Sequence, residues 1–196
     1  MKIISIQHKH LNEIVEIYMN VLNMASITYF GKSYILKMCH HLLDNNWGYA
    51  ALDEKSNKII GFIFSSKSTQ PFFSFLSIRS ILHLCFIIFT NYLSFIIFFN
   101  SFFKIFLPNL NLNKKNIIEI AHFAVDKNYQ NIGIGSKLIK YFEERSILEN
   151  YKSIYTTTHN KRLAKFYSIK MNAKIIKIKK LGKHYTSHQL MWDLNK

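Results

Sequence analysis

Cysteine, proline, glycine and acidic side chains are all scarce in this chain, and each scarcity narrows what it can be. The two cysteines in 196 residues, Cys39 and Cys85, fall in different segments and have no metal-ligand spacing. They read as reduced, partly buried small hydrophobes rather than a disulfide, which suits a cytosolic chain. With two prolines and six glycines there is no Gly/Ser/Pro linker, and no segment repeats another. The opening MKIISIQHKHLNEI has no apolar run long enough for a signal peptide. Acidic residues number 11 against 26 Lys plus Arg, a formal charge of +15. That balance suits nucleic acid, an anionic membrane surface or a polyanionic small molecule. A Lys-rich, AT-biased genome gives the same balance with no partner implied.

What is abundant is apolar. Hydrophobic residues make up 49% and aromatics 15%, which excludes a disordered chain, and the length suits one domain, residues 1–196, with a sizeable core. KIISI reads as a strand, and the following residues 7–24 as a helix with Leu11, Ile14, Val15, Tyr18 and Leu22 on one face. Residues 32–46 repeat the helical pattern, and WGYAALD, EKSNK and IIGFIFSS read as a hairpin. Beyond a long apolar stretch, IIEIAHFAV is a buried strand and DKNYQNIGIG a loop. SKLIKYFEERSILE is a helix with Leu138, Ile139, Phe142 and Ile147 on one face. SIYTTTH is a strand, residues 160–172 a short helix capped by Asn160, and residues 173–181 and 187–194 a closing hairpin. The order βααββ, insertion, βαβαββ defines an α/β (α+β) domain around one mixed central sheet flanked by helices.

Two of the six glycines, Gly133 and Gly135, stand together between the buried strand and its helix. Without side chains there, backbone N–H groups can approach phosphate oxygens, and a helix N-terminus adds partial positive charge. No Gly-Lys-Ser/Thr ending follows, which argues against a Walker loop. No third glycine stands at Rossmann spacing, which argues against a dinucleotide fingerprint. As a bare pattern the pair is equally a structural turn.

The surrounding residues lift it above that. Gln130-Asn131-Ile132-Gly133-Ile134-Gly135 resembles the Q/R-x-x-G-x-G/A loop of the GNAT acyltransferase superfamily, which grips the pyrophosphate of coenzyme A. EIAHFAVDKNYQNIGIGSKLI resembles that family's strand-loop-helix, and HNKRLAKFYSIKMNA its next motif. The likeness covers about residues 117–173. Where the family ends the second helix with Gly-Phe, this chain has Met171-Asn172, and Asn can supply the same left-handed cap. The resemblance implies a GNAT-like fold with acetyl-CoA as cosubstrate. Its site would be formed by Phe123, Ala124 and Val125, by Gln130, Asn131, Ile132, Gly133, Ile134, Gly135 and Ser136, and by Asn160 and Phe166.

The resemblance also implies a reaction, direct attack of an amine on the thioester. The backbone of Val125 would stabilise the developing oxyanion. Tyr167, second of the Phe-Tyr pair, would protonate the leaving thiolate, or else only pack against the cosubstrate. Glu119, six residues before Val125, matches the offset at which some members carry their catalytic base. Alternation places Glu119, Ala121, Phe123 and Val125 on one face, with the rival base His122 opposite. A carboxylate in an apolar strand points to a site role, while a solvated strand end is the plain alternative. Asn160 would also serve the pantetheine arm.

Residues 67–115 form an insertion between the third and fourth strands, outside the resemblance. From Pro71 to Phe103 it carries one charge, Arg79. Its flanks belong to one sheet, so the chain must return to the side it left, which argues against a single membrane span. Polar residues recurring at three and four residues predict one or two helices over 71–108, apolar elsewhere. Such a face is covered by the core, by a homodimer partner, by a membrane surface on the inner face of the cell, or by a long acyl chain. Nine Lys or Arg and no acid lie from Lys161 to Lys183. The favoured acceptor is a small-molecule amine, an amino sugar of a surface-glycan pathway, with a protein N-terminus or lysine as the alternative. A nucleic-acid module would need aromatics among its lysines, and here they sit apart. A catalytically silent membrane adaptor is the third reading.

Overall fold

The strands of this computed structural model form one sheet in the order β1-β2-β3-β4-β5-β7-β6. The structure describes residues 1–22, 28, 31–66, 116–181 and 185–194. The helices expected over 71–108, the rest of the 67–115 insertion and Cys85 lie outside the described residues. In chain order the elements are β1 (Lys2–Ser5), α1 (Leu11–Val21), α2 (Lys32–Asn45), β2 (Gly48–Asp53) and β3 (Lys58–Ser66). They continue with β4 (Ile117–Val125), α3 (Ile134–Leu148), β5 (Ser153–Thr158), α4 (Lys161–Lys170), β6 (Lys174–Leu181) and β7 (Tyr185–Asp193). This is the expected order. Three starts differ by two residues or more. His8–His10 form a 3-10 turn, so α1 starts at Leu11, α3 starts at Ile134 rather than Ser136, and β7 starts two residues early.

Each face of the sheet carries its own core. On one side Leu11, Ile14, Val15 and Tyr18 of α1 and Tyr34, Ile35, Met38 and Cys39 of α2 pack on Phe62 and Phe64. On the other, Ile134, Leu138, Ile139 and Phe142 of α3 and Ala164 and Tyr167 of α4 pack on Ile118, Ile120, Ile154, Leu190 and Trp192. Cys39 is a free, buried thiol, pushed up to about 12 by desolvation. Ile147, expected on the buried face of α3, is 45% exposed. One helical turn beyond Phe142 comes Ser146, which is buried and donates its hydroxyl to Phe142 O at 2.7 Å.

Strand β3 pairs antiparallel with β4 and sets Ser66 opposite Glu119, so the end of β3 and the start of β4 lie side by side. The pair β4–β5 is parallel, and the other described pairs are antiparallel. Among the described residues, every non-glycine with positive φ is an asparagine: Asn57, Asn131, Asn150 and Asn172. Asn172, at φ 54°, takes the cap conformation expected of it. The N–H groups of Met171 and Ala173 then close on Tyr167 O at 3.0 and 3.2 Å.

Candidate active site

Strands β4 and β5 share four rungs, from Ile117–Ser153 to Ile120–Thr156, and then part. Beyond that point β4 follows β3 as far as Val125, and β5 follows β7 to Thr158. The register shows where the fork begins. Phe64 faces His122 and Ser65 faces Ile120, so Ala121 has no opposite number and forms a β-bulge. Bulges bend a strand and increase its twist, which turns β4 away from β5. Asp126 N–H donates to Ile60 O across the β3 side at 2.9 Å. By strand alternation the amides of Phe123 and Val125 therefore point the other way, into the fork. Ala124 faces β3 with its amide and the α1/α2 core with its side chain, so of the three strand residues it alone is turned from the gap.

The bulge also changes which side chains share a face. Ile118 and Ile120 point toward α3 and α4, as do Phe123 and Val125 beyond the bulge. Alternation without it puts Glu119 with Phe123 and Val125. With Ala121 looped out, Glu119 instead stands on the α1/α2 face with His122 and Ala124. There it is half-buried, in register with Ser66 and Tyr155. The Tyr155 phenol is raised by burial first, lowered somewhat by its hydrogen bond with Thr157 (2.9 Å), and raised again by the Glu119 charge. His122 Nδ1 and Tyr18 Oη share a hydrogen bond of 3.0 Å, and burial pushes the imidazole down to about 4. His122 is thus neutral at pH 7. Burial holds the Tyr18 phenol far above its ordinary range.

Tyr167 lies on the opposite face, 1% exposed, stacked on Trp192 at 5.5 Å with Phe166 edge-on at 5.7 Å. Thr156 lies close enough to the Tyr167 hydroxyl to offset part of the effect of burial, and the Thr156 hydroxyl donates to Ile120 O at 3.1 Å. Ile120 and Thr156 are the last rung before the strands part, so the phenol sits at the vertex of the fork. Burial raises its pKa far above the ordinary value, and it stays protonated through neutral pH.

At the mouth of the fork the loop is built on a 3-10 turn, Lys127–Tyr129, capped by Asp126, which accepts from Asn128 N–H at 2.8 Å. Gln130 Nε2 donates to Val125 O at 2.8 Å, so its side chain braces the loop against the strand end. Asn131 and Gly133 both take left-handed backbone, at φ 64° and 87°, and Asn131, Ile132 and Gly133 are exposed. Gly133 is the N-cap of α3, has no side chain to cap it, and no acid stands in the first turn. The leading N–H groups of α3, at Ile134, Gly135 and Ser136, are therefore free for an anion. The two glycines do different work. A Cβ on Gly133 would meet nothing within 4 Å, whereas one on Gly135 would stand 3.1 Å from Phe123 Cζ. Gly133 leaves the approach open, and Gly135 lets α3 lie close on β4. Asn160 caps α4 through Oδ1, accepting from Arg162 N–H (2.9 Å) and Leu163 N–H (3.2 Å), which leaves its amide nitrogen for a ligand.

Thr156 and Tyr18 escaped the reading of the sequence. Thr156 is one of several β-branched residues in β5, and Tyr18 meets His122 across 104 positions in the chain. The tyrosine among aliphatic positions on the α1 stripe was the one visible sign.

Residues 12–171 match the sequence model of the acetyltransferase (GNAT) family, and the chain belongs to that family, whose cosubstrate is acetyl-CoA. No curated protein sequence matches it. Among solved structures it is similar to an N-acetyltransferase from Staphylococcus aureus, with a TM-score of 0.64 at 13% identity over 99% of this chain and 98% of that one. It is also similar to a phosphinothricin acetyltransferase from Sinorhizobium meliloti in complex with AcCoA, with a TM-score of 0.65 at 11% identity over 98% and 87%. A third is a ribosomal-protein-alanine N-acetyltransferase from Brucella melitensis, with a TM-score of 0.62 at 12% identity over 98% and 99%. At such identities the likeness is one of fold.

Proposed function

We propose that the protein transfers the acetyl group of acetyl-CoA to a primary amine of a small molecule by direct attack. The observation that carries this reading is the fork, with the amides of Phe123 and Val125 turned into it and the free N-terminus of α3 at its mouth. The cosubstrate supplies an activated thioester. The first amides of α3 and the exposed backbone at Asn131, Ile132 and Gly133 would hold its pyrophosphate, and Asn160 and Phe166 would border the pantetheine arm. Val125 N–H would donate to the thioester carbonyl as charge develops there. Tyr167, protonated at the vertex, would give its proton to the departing sulfur from the α3/α4 side. The amine would come from the α1/α2 side, where Glu119 would take its proton, directly or through water.

Among acceptors we favour an amino sugar, above all in nucleotide-linked form, because a chain of charge +15 suits an anionic acceptor. A protein N-terminus or lysine is the alternative. Residues 1–196 would act as one domain in the cytoplasm, with 71–108 giving it a second apolar surface for a homodimer partner or the membrane. Calorimetric titration should give micromolar acetyl-CoA binding. Thiol release should then follow with amino sugars ahead of peptide amines. Absence of acetyl-CoA binding refutes the reading, and binding without turnover on any amine marks a silent family member.

A further inference from the structure

Between 161 and 181 the chain carries eight Lys or Arg and no Asp or Glu, and much of this segment is strand β6, the last in the sheet. Lysines and a bulge are what an edge strand needs to refuse pairing with another chain, and β6 has both, its register slipping at Ile176. A merely defensive edge has no use for exposed aliphatic side chains. Yet Ile175, Ile176 and Ile178 are 46%, 38% and 55% exposed. Ile175 pairs with Leu190 and Ile178 with His188, two residues apart on β7, so both isoleucines project from one face. Lys180, opposite Thr186, follows on that face, while Lys177 and Lys179 project from the other.

We propose that this outer strand is a docking surface for an anionic lipid bilayer. The isoleucines would enter the headgroup boundary while the lysine stems run along the apolar layer and keep their ammonium groups at the phosphates. A second copy of the chain is a poor occupant, since apposing two such strands brings two lysine-rich segments without an acid together. A peptide strand added to the edge would pair with the backbone and leave the face-directed isoleucines uncovered. Nucleic acid prefers aromatic platforms, and residues 172–180 contain none. The surface lies apart from the fork, so it holds whether or not the protein acetylates.

The test is co-sedimentation of the full chain with phosphatidylcholine vesicles, with and without phosphatidylglycerol. Binding should require phosphatidylglycerol and weaken with added salt. At about fivefold per lysine near the bilayer, Lys180→Gln on the isoleucine face should lower the partition coefficient about fivefold, and Lys177→Gln on the other face should add less than that. Ile175→Ser with Ile178→Ser should lower it severalfold while leaving acetyl-CoA affinity unchanged. The lysine pair is exposed and touches no core, so it decides the matter if the isoleucine pair folds poorly. Three results overturn the proposal. The parent protein ignores anionic vesicles, both variants sediment like the parent, or duplex DNA at equal salt binds through these lysines more tightly than the vesicles do.

Discussion

Replacing His122 with Gln should remove a pH dependence of stability that the parent protein shows. An imidazole held at about 4 against its ordinary 6.5 is neutral in the fold at pH values where the unfolded chain protonates it. Between those two values the unfolded state binds the extra proton, so stability falls as pH falls. At 1.36 kcal/mol per pH unit the full effect is about 3 kcal/mol, of which about 2 kcal/mol is lost between pH 7.5 and 5. Glutamine keeps a polar partner for Tyr18 but cannot titrate. Glu119, Tyr18, Tyr34, Cys39 and Tyr155, titratable groups that share this face, are present in both proteins, and to first order their contributions cancel in the difference. Urea unfolding at the two pH values is the assay. With a slope of about 2 kcal/mol per molar, the parent midpoint should drop about 1 M further than that of the variant. Drops equal to within about 0.5 kcal/mol, a margin set by extrapolation error, would refute a His122 held neutral by burial.

Gly133→Val should weaken acetyl-CoA binding in a folded protein, and Gly133→Asn, which tolerates left-handed backbone, should weaken it less. Equal affinities by calorimetry would remove Gly133 from the phosphate cradle. Gly135→Val should instead lower the melting temperature, because its side chain meets the Phe123 ring; an unchanged melt with lost binding would give Gly135 the cradle role. Tyr167→Phe should lower kcat by about a hundredfold or more with little change in acetyl-CoA affinity, the range for loss of a general acid. Parent-like turnover where chemistry is rate-limiting would make Tyr167 a packing residue. Glu119→Gln should slow the reaction most at low pH, where the amine is hardest to deprotonate, and a deficit constant with pH would point to another base.

The parts of the site set by local chain chemistry were legible in the sequence. Gly133, Asn160 and Asn172 each sit at a helix end, where the backbone requirement is written in the residue itself. The first turn of α3 came two residues early, because a left-handed Gly133 starts the helix at once. Features set by a partner strand were not legible. Nothing in Ala121 and His122 announces a bulge, since it exists only in the register with Phe64 and Ser65, and it moved Glu119 to the other face. The end of the β4–β5 ladder is likewise a property of two segments that diverge. Exposure of Ile147 followed from a single position of helical phase, with Ser146 taking the inner place.

A sheet that forks is, mechanically, two plates on a hinge. One plate is β1 to β4 with α1, α2 and α3 upon it, and the other is β5, β7 and β6 with α4. The hinge is the four rungs from Ile117 to Ile120, and a bolt crosses it at the closed end, where Trp192 Nε1 donates to Glu143 Oε1 of α3 at 2.7 Å. Toward Val125 no backbone pairing among the described residues joins the plates, so small rotations at the rungs become larger openings at the mouth. A molecule bonded to both strand edges would act as a strut placed at the far end of the lever. Its leverage on the stiffness of the whole protein would then exceed what its few hydrogen bonds suggest.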